Sequence, residues 1–186
     1  MHIEETFEVA GRTLTLLRPP SAEELIDEAA FAREEFLPYW AELWPSGVAL
    51  AEHVAARALD GKRVLELGAG LGLPSLAAAL RGADVLATDW AEDAVTLLAA
   101  NAARNGIGLR AEAMRWDEPE RFGAGWDLVL AADVLYEQRN AEQLLDLLPR
   151  LRAAEILVAE PGRPFAKDFL SRWDVEEVGE RLYRLR

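Results

Sequence analysis

Glycines at alternate positions, carboxylates at the ends of apolar runs and tryptophans on the segments between are spaced here for ligand chemistry. In Arg63-Val-Leu-Glu-Leu-Gly-Ala-Gly-Leu-Gly-Leu-Pro-Ser75, an apolar run carrying Glu66 breaks into Gly68, Gly70 and Gly72. Glycines there permit positive φ and let a ligand approach the backbone, because no Cβ intervenes. The pattern predicts a buried strand, a tight loop and a helix starting near Leu73. Such a loop puts a nucleotide-like ligand over the carboxyl end of a parallel sheet. Asp89 ends the next apolar run, where its carboxylate can accept hydrogen bonds from two ribose hydroxyls. That aspartate suits a dinucleotide equally well. The glycine spacing does not: a dinucleotide loop expects a small residue where Leu73 stands.

The elements needed to position these residues can be read along the chain. Alternation around Ala10-Gly11 predicts a hairpin over 3–17. Ser21 with Glu24 forms a capping box for a helix to about Phe36. A segment dense in aromatics follows, Leu37-Pro-Tyr-Trp-Ala-Glu-Leu-Trp-Pro-Ser-Gly47, whose rings either plug the sheet end or wall a pocket. Ser46 is placed to cap a helix through about Leu59. Strands are expected at 63–67, 84–88, 109–115, 127–131 and 156–160, with helices at about 73–81, 91–105, 140–151 and 165–173. This alternation implies a parallel sheet with helices on both faces. Two last strands, 175–178 and 181–185, have no helix between them and form a closing antiparallel hairpin. Residues 1–36 read as an extension and 37–186 as the main domain.

Composition narrows the function. The chain has 186 residues, 51% of them hydrophobic, and no run long enough to span a membrane. Nor does its start show a basic region followed by an apolar run, so no secretory signal is expected. Zero cysteines exclude disulfides and thiolate metal sites and are compatible with a cytoplasmic location. The net charge of −13 argues against a general nucleic-acid binder. His2 and His53 are the only histidines, and neither suggests a metal or a histidine base.

Glu66-Leu-Gly-Ala-Gly-Leu-Gly72 followed by Asp89 resembles the first motif and second-strand acid of class I, seven-strand S-adenosylmethionine methyltransferases. That resemblance implies an α/β Rossmann-like sheet of order 3-2-1-4-5-7-6. Trp44-Pro-Ser, Trp116 and Ala132-Asp-Val-Leu-Tyr136 are similar to the Asp-x-x-Tyr group of protein-lysine methyltransferases. Tyr39–Gly47 and Glu160-Pro-Gly-Arg-Pro164 are similar to the branch containing the electron-transfer-flavoprotein β-subunit lysine methyltransferase, whose bacterial members carry the label nicotinamide N-methylase. Two positions depart from the pattern: Asp117 follows Trp116 in place of Gly, and Glu160 replaces Asp.

The resemblance implies S-adenosyl-L-methionine as cofactor and S-adenosyl-L-homocysteine as product. It sets Gly68, Ala69 and Gly70 beneath the methionine moiety and Asp89 on the ribose. Trp44, Trp116 and Ala132 come beside the cofactor, with Glu66 either orienting the loop or approaching the cofactor's amino group through water, and Trp90 either shielding the adenine or lying in the core. Asp133 and Tyr136 become the reaction pair, Asp133 offering an anion to an ammonium. The expected activity is N-methylation of a lysine on a protein substrate. The alternatives are a small-molecule acceptor such as nicotinamide, or a non-catalytic or NAD-binding module.

Overall fold

The computed structural model describes residues 2–21 and 38–186. Residues 22–37, where the sequence predicts most of a helix, lie outside the described part. Strands β1 (Ile3–Val9) and β2 (Arg12–Arg18) form a separate antiparallel pair. Ala10 and Gly11 both take positive φ, 51° and 76°, the turn whose twist matches that of the flanking strands.

Seven strands make the main sheet: β3 (Arg63–Leu67), β4 (Asp84–Asp89), β5 (Arg110–Ala113), β6 (Leu128–Ala132), β7 (Ile156–Ala159), β8 (Val175–Gly179) and β9 (Leu182–Leu185). Their order is β5-β4-β3-β6-β7-β9-β8. Counted from β3 this is 3-2-1-4-5-7-6, as the resemblance implied. β3 to β7 pair in parallel, and β9 enters antiparallel against β7. The helices are α1 (Pro45–Ala55), α2 (Leu73–Leu80), α3 (Glu92–Arg104), α4 (Gln138–Leu151) and α5 (Ala166–Leu170).

The central strands are apolar on both faces, which is why they read as continuous hydrophobic runs. Val64, Leu128, Leu130 and Leu157 face a core shared with α1, α2 and the hairpin residues Leu14 and Leu16. Their neighbours Leu65, Val129 and Val158 face the opposite core with Phe122 and the inner side of α4. Among the described residues, no helix is long and apolar enough to cross a membrane.

Boundaries move where side chains override the local pattern. α1 stops at Ala55 rather than near Leu59, because Leu59 turns inward to a position only 4% exposed. Its N-cap is Trp44, with Pro45 in the first turn, so Ser46 is not the cap that the sequence suggests. β5 is shorter than expected and ends at Ala113, although Met114 N–H still donates to Asp89 O.

Two side-chain amides, the buried Asn101 and the half-buried Asn105, dock the hairpin. Asn101 donates to Leu17 O at 2.9 Å and accepts from Leu17 N–H at 2.7 Å. Asn105 does the same for Thr15, at 2.9 and 3.0 Å. Residues four apart on a helix rise about 6 Å, close to the roughly 6.7 Å between alternate strand residues. The two side chains therefore complete the hydrogen bonding of an otherwise open strand edge. Asn101→Leu is expected to cost about 1–3 kcal/mol by orphaning both Leu17 groups. Hydrogen exchange should accelerate at Leu17 while Thr15 remains protected; unchanged exchange at Leu17 would contradict the docking role.

Candidate functional site

A cleft opens at the carboxyl end of the central strands, about 1110 Å³ counted to its open mouth. Its floor is the glycine loop between β3 and α2. Gly68, Gly70 and Gly72 have φ of 64°, 52° and 73°, a left-handed run that other residues resist. Contacts reinforce this. A Cβ on Gly68 would lie 3.0 Å from Val134 and 3.3 Å from Trp116, and one on Gly72 would clash with Leu98 at 2.4 Å. At Gly70 the obstacle is Trp40 O, 3.2 Å away, so the turn Tyr39–Ala41 sits directly on the loop.

Two buried carboxylates hold the loop. Asp89 Oδ2 accepts from Gly70 N–H at 2.9 Å and Oδ1 from Ala91 N–H at 3.0 Å. Burial pushes this carboxyl up, and the amide bonds pull it back toward ionisation. The Trp90 amide also bonds this carboxylate, so of its four acceptor sites one stays open to a ligand, and Asp89 lines the cleft. Glu66 acts on the helix instead. The N-cap of α2 is Gly72, which has no side chain, and Pro74 has no N–H. Glu66 Oε2 fills the gap, accepting from Ser75 N–H at 2.8 Å and from the Ser75 hydroxyl. Burial pushes its pKa up to about 8, against the opposing pull of the Ser75 hydrogen bonds.

The aromatics divide by role. Trp116 packs against Gly68, and Trp44 donates Nε1–H to Tyr39 O at 3.0 Å. Tyr39 meets Tyr136 edge-on, with centroids 5.0 Å apart. Of the two sequence readings, the entry-segment rings wall the cleft. Trp90 also lines it and is 37% exposed, so it is not a core residue. Asp117, also on the cleft lining, chelates Arg115 at 3.1 and 3.0 Å, and that guanidinium holds its carboxyl below the usual range.

Asp133, Tyr136 and Ala132 line the same cleft. Asp133 has φ of 55° and is 6% exposed. Arg163 grips it with two bonds, Nε to Oδ1 at 2.6 Å and Nη2 to Oδ2 at 2.9 Å, and Ser46 Oγ donates to Oδ2 at 3.3 Å. Burial pushes the Tyr136 phenol up to about 12, so it stays protonated near neutrality and remains a donor.

A family model described as lysine methyltransferase matches residues 38–174. The chain belongs to the lysine methyltransferase family. The zebrafish electron transfer flavoprotein beta subunit lysine methyltransferase is 32% identical over 140 residues, covering 70% of this chain and 53% of that protein. The zebrafish protein N-lysine methyltransferase METTL21A is 34% identical over 157 residues, covering 74% and 70%. The chain thus spans about half the length of the flavoprotein-subunit relative. In fold alone, it matches the T. thermophilus 16S rRNA N2 G1207 methyltransferase solved with AdoMet and guanosine. There the TM-score is 0.72 at 18% identity, covering 100% of this chain and 50% of that one.

In this lysine methyltransferase family member, the cleft gathers every site residue expected from the sequence: Trp44, Glu66, Gly68, Ala69, Gly70, Asp89, Trp90, Trp116, Ala132, Asp133 and Tyr136. Sequence reasoning missed three partnerships. Arg163 enters only as part of a motif, Ser46 reads as a helix cap and Ser75 carries no signal of its own, and only folding shows which carboxylate each one meets.

The raised Glu66 pKa carries a sign. The folded state holds the proton up to about pH 8, whereas the unfolded chain releases it near 4.5. Stability from Glu66 is therefore complete below pH 4.5 and falls as pH rises toward 8. Glu66→Gln mimics the protonated form, so it should gain on wild type by up to about 1.4 kcal/mol per pH unit across that window. Denaturant unfolding at several pH values measures this, and parallel stability curves would contradict the buried-acid description.

Proposed function

We propose that this protein is an S-adenosylmethionine-dependent N-methyltransferase whose acceptor is a lysine amine on a protein. The observation that carries the cofactor reading is the occupied N-terminus of α2. A dinucleotide sets its pyrophosphate on the backbone amides of that helix end. Here Glu66 already takes the Ser75 amide, so that donor is not free for a phosphate. Carboxylates still outnumber arginines along the cleft once Asp133 is set against Arg163: Glu42, Asp89 and Asp117 line it with Arg115 and Arg139. That field suits a sulfonium and disfavours a pyrophosphate.

When bound, S-adenosylmethionine supplies a methyl group on a positively charged sulfur and leaves as S-adenosylhomocysteine. Asp89 would hold the ribose through its open acceptor site, Trp116 and Trp90 would bracket the adenine, and Gly68 to Gly70 would pass beneath the amino-acid end. Asp133 and Tyr136 receive the acceptor nitrogen, Tyr136 as a phenol and Asp133 as a hydrogen-bond acceptor. The amine attacks with its lone pair, so it must arrive without its proton, and positioning supplies much of the rate. The family match and the relatives whose names specify protein lysines support this acceptor class. A cytoplasmic location accords with the absence of cysteine.

Incubating the protein with tritiated S-adenosylmethionine and a cell lysate, then running a gel, tests the acceptor. A labelled protein band is expected, and label confined to small molecules would favour the nicotinamide-like alternative. Asp133→Asn, which tolerates the left-handed backbone, should keep cofactor affinity while cutting transfer at least about tenfold, the loss of one charged hydrogen bond. Transfer at the wild-type rate would remove Asp133 from the mechanism.

A further inference from the structure

Asp133 raises a chemical difficulty. An unpaired carboxylate beside a lysine raises the amine's pKa and holds it as ammonium, which has no lone pair for the methyl group. Yet Asp133 is not unpaired. Arg163 binds both of its oxygens, from the Pro161-Gly162 turn that follows β7. Glu160 fixes that turn by accepting the N–H groups of Gly162 and Arg163 on Oε1. The Arg163 guanidinium also stacks 5.4 Å from the centre of the Trp44 ring, on the entry segment. Three elements thus aim one arginine at one carboxylate.

Counting lone pairs locates what remains. Oδ2 accepts from Arg163 Nη2 and from Ser46, which fills it. Oδ1 accepts only Arg163 Nε and keeps one site open. The other groups that bear on the pair are Glu160 behind the turn and the Tyr39 phenol. Tyr136 enters the cleft from the segment before α4, and Arg139 from α4 itself, where Glu137 balances it.

We propose that Arg163 is a positioning residue that neutralises Asp133, so that Oδ1 takes the acceptor nitrogen as a hydrogen-bonded amine and does not hold it as ammonium. This rests on the cofactor reading above. Removing Arg163 would leave a bare carboxylate that binds a cation more tightly and so blocks the reaction.

The acceptor need not be known to test this. Sinefungin is an S-adenosylmethionine analogue with a C–NH3⁺ group where the cofactor has S–CH3⁺. Its amine therefore stands where the transferred methyl stands, directed at the groups that receive the acceptor nitrogen. S-adenosylhomocysteine lacks any group there. The readout is the ratio of their dissociation constants, measured by calorimetry from pH 6 to 9. Arg163→Met should shift the ratio toward sinefungin by roughly tenfold at pH 7, the effect of a one-unit change. The pH at which that preference fades should also rise. Arg163→Lys, which keeps the charge, should stay near wild type, and the Asp133→Asn/Arg163→Met pair should lose the gain. Arg163→Gln gives a second neutral variant, and unchanged S-adenosylhomocysteine affinity certifies a folded cleft. Equal ratios in wild type and both neutral variants would overturn the proposal. If wild type binds neither ligand, the cofactor reading itself fails, and the proposal with it.

Discussion

The carboxyl of Glu66 on the first turn of α2 is the interaction from which the cleft follows. It rises from the central strand β3, crosses beneath three left-handed glycines and satisfies an amide that no local residue can reach. A helix end left open there would attract an anion. Closed from within, it leaves the glycine loop as bare backbone, ready to lie under a ligand without phosphate. Asp89 then fixes the other side of the same loop through Gly70, so strand, loop and helix have little freedom to rearrange when a ligand arrives.

The reaction end of the cleft is built on the same plan of a carboxylate held by distant partners. Asp133 continues β6, and its own N–H bonds Ala159 O of β7 at 2.9 Å. A left-handed backbone at a non-glycine residue is strained and persists only where surrounding contacts determine it. Here the contacts are Arg163, Ser46 and the β7 carbonyl, from three separate parts of the chain. Asp89 and the Asp133–Tyr136 pair thereby line one cleft, the arrangement that transfer between two substrates would require.

Much of this was legible in the sequence because it depends on local pattern. Alternate glycines after an apolar run predict the loop, apolar runs on a strand–helix rhythm predict the parallel sheet, and Asp89 is visible as the acid at a strand end. What was not legible depends on distance in the chain. Asp133 and Arg163 are separated by 30 positions, and Asn101 meets Leu17 across 84. Nothing in their local sequence distinguishes them from a loop arginine or a helix-surface asparagine. The Asn101 and Asn105 spacing of four was the one available signal, since it matches a strand edge as well as it matches a helix face. Ser46 looked like a helix cap for sound reasons, but Pro45 already occupied the first turn and Trp44 the cap.

The central claim is that this cleft is made for a sulfonium nucleoside and not for a dinucleotide. Titration calorimetry with S-adenosylmethionine and with NAD, on wild type and Asp89→Asn, tests it most directly. The account predicts S-adenosylmethionine binding to wild type, weakened by about 1.5–3 kcal/mol or roughly 10- to 100-fold in the variant, and no measurable NAD binding. NAD binding at comparable strength, or S-adenosylmethionine affinity indifferent to Asp89, would contradict it.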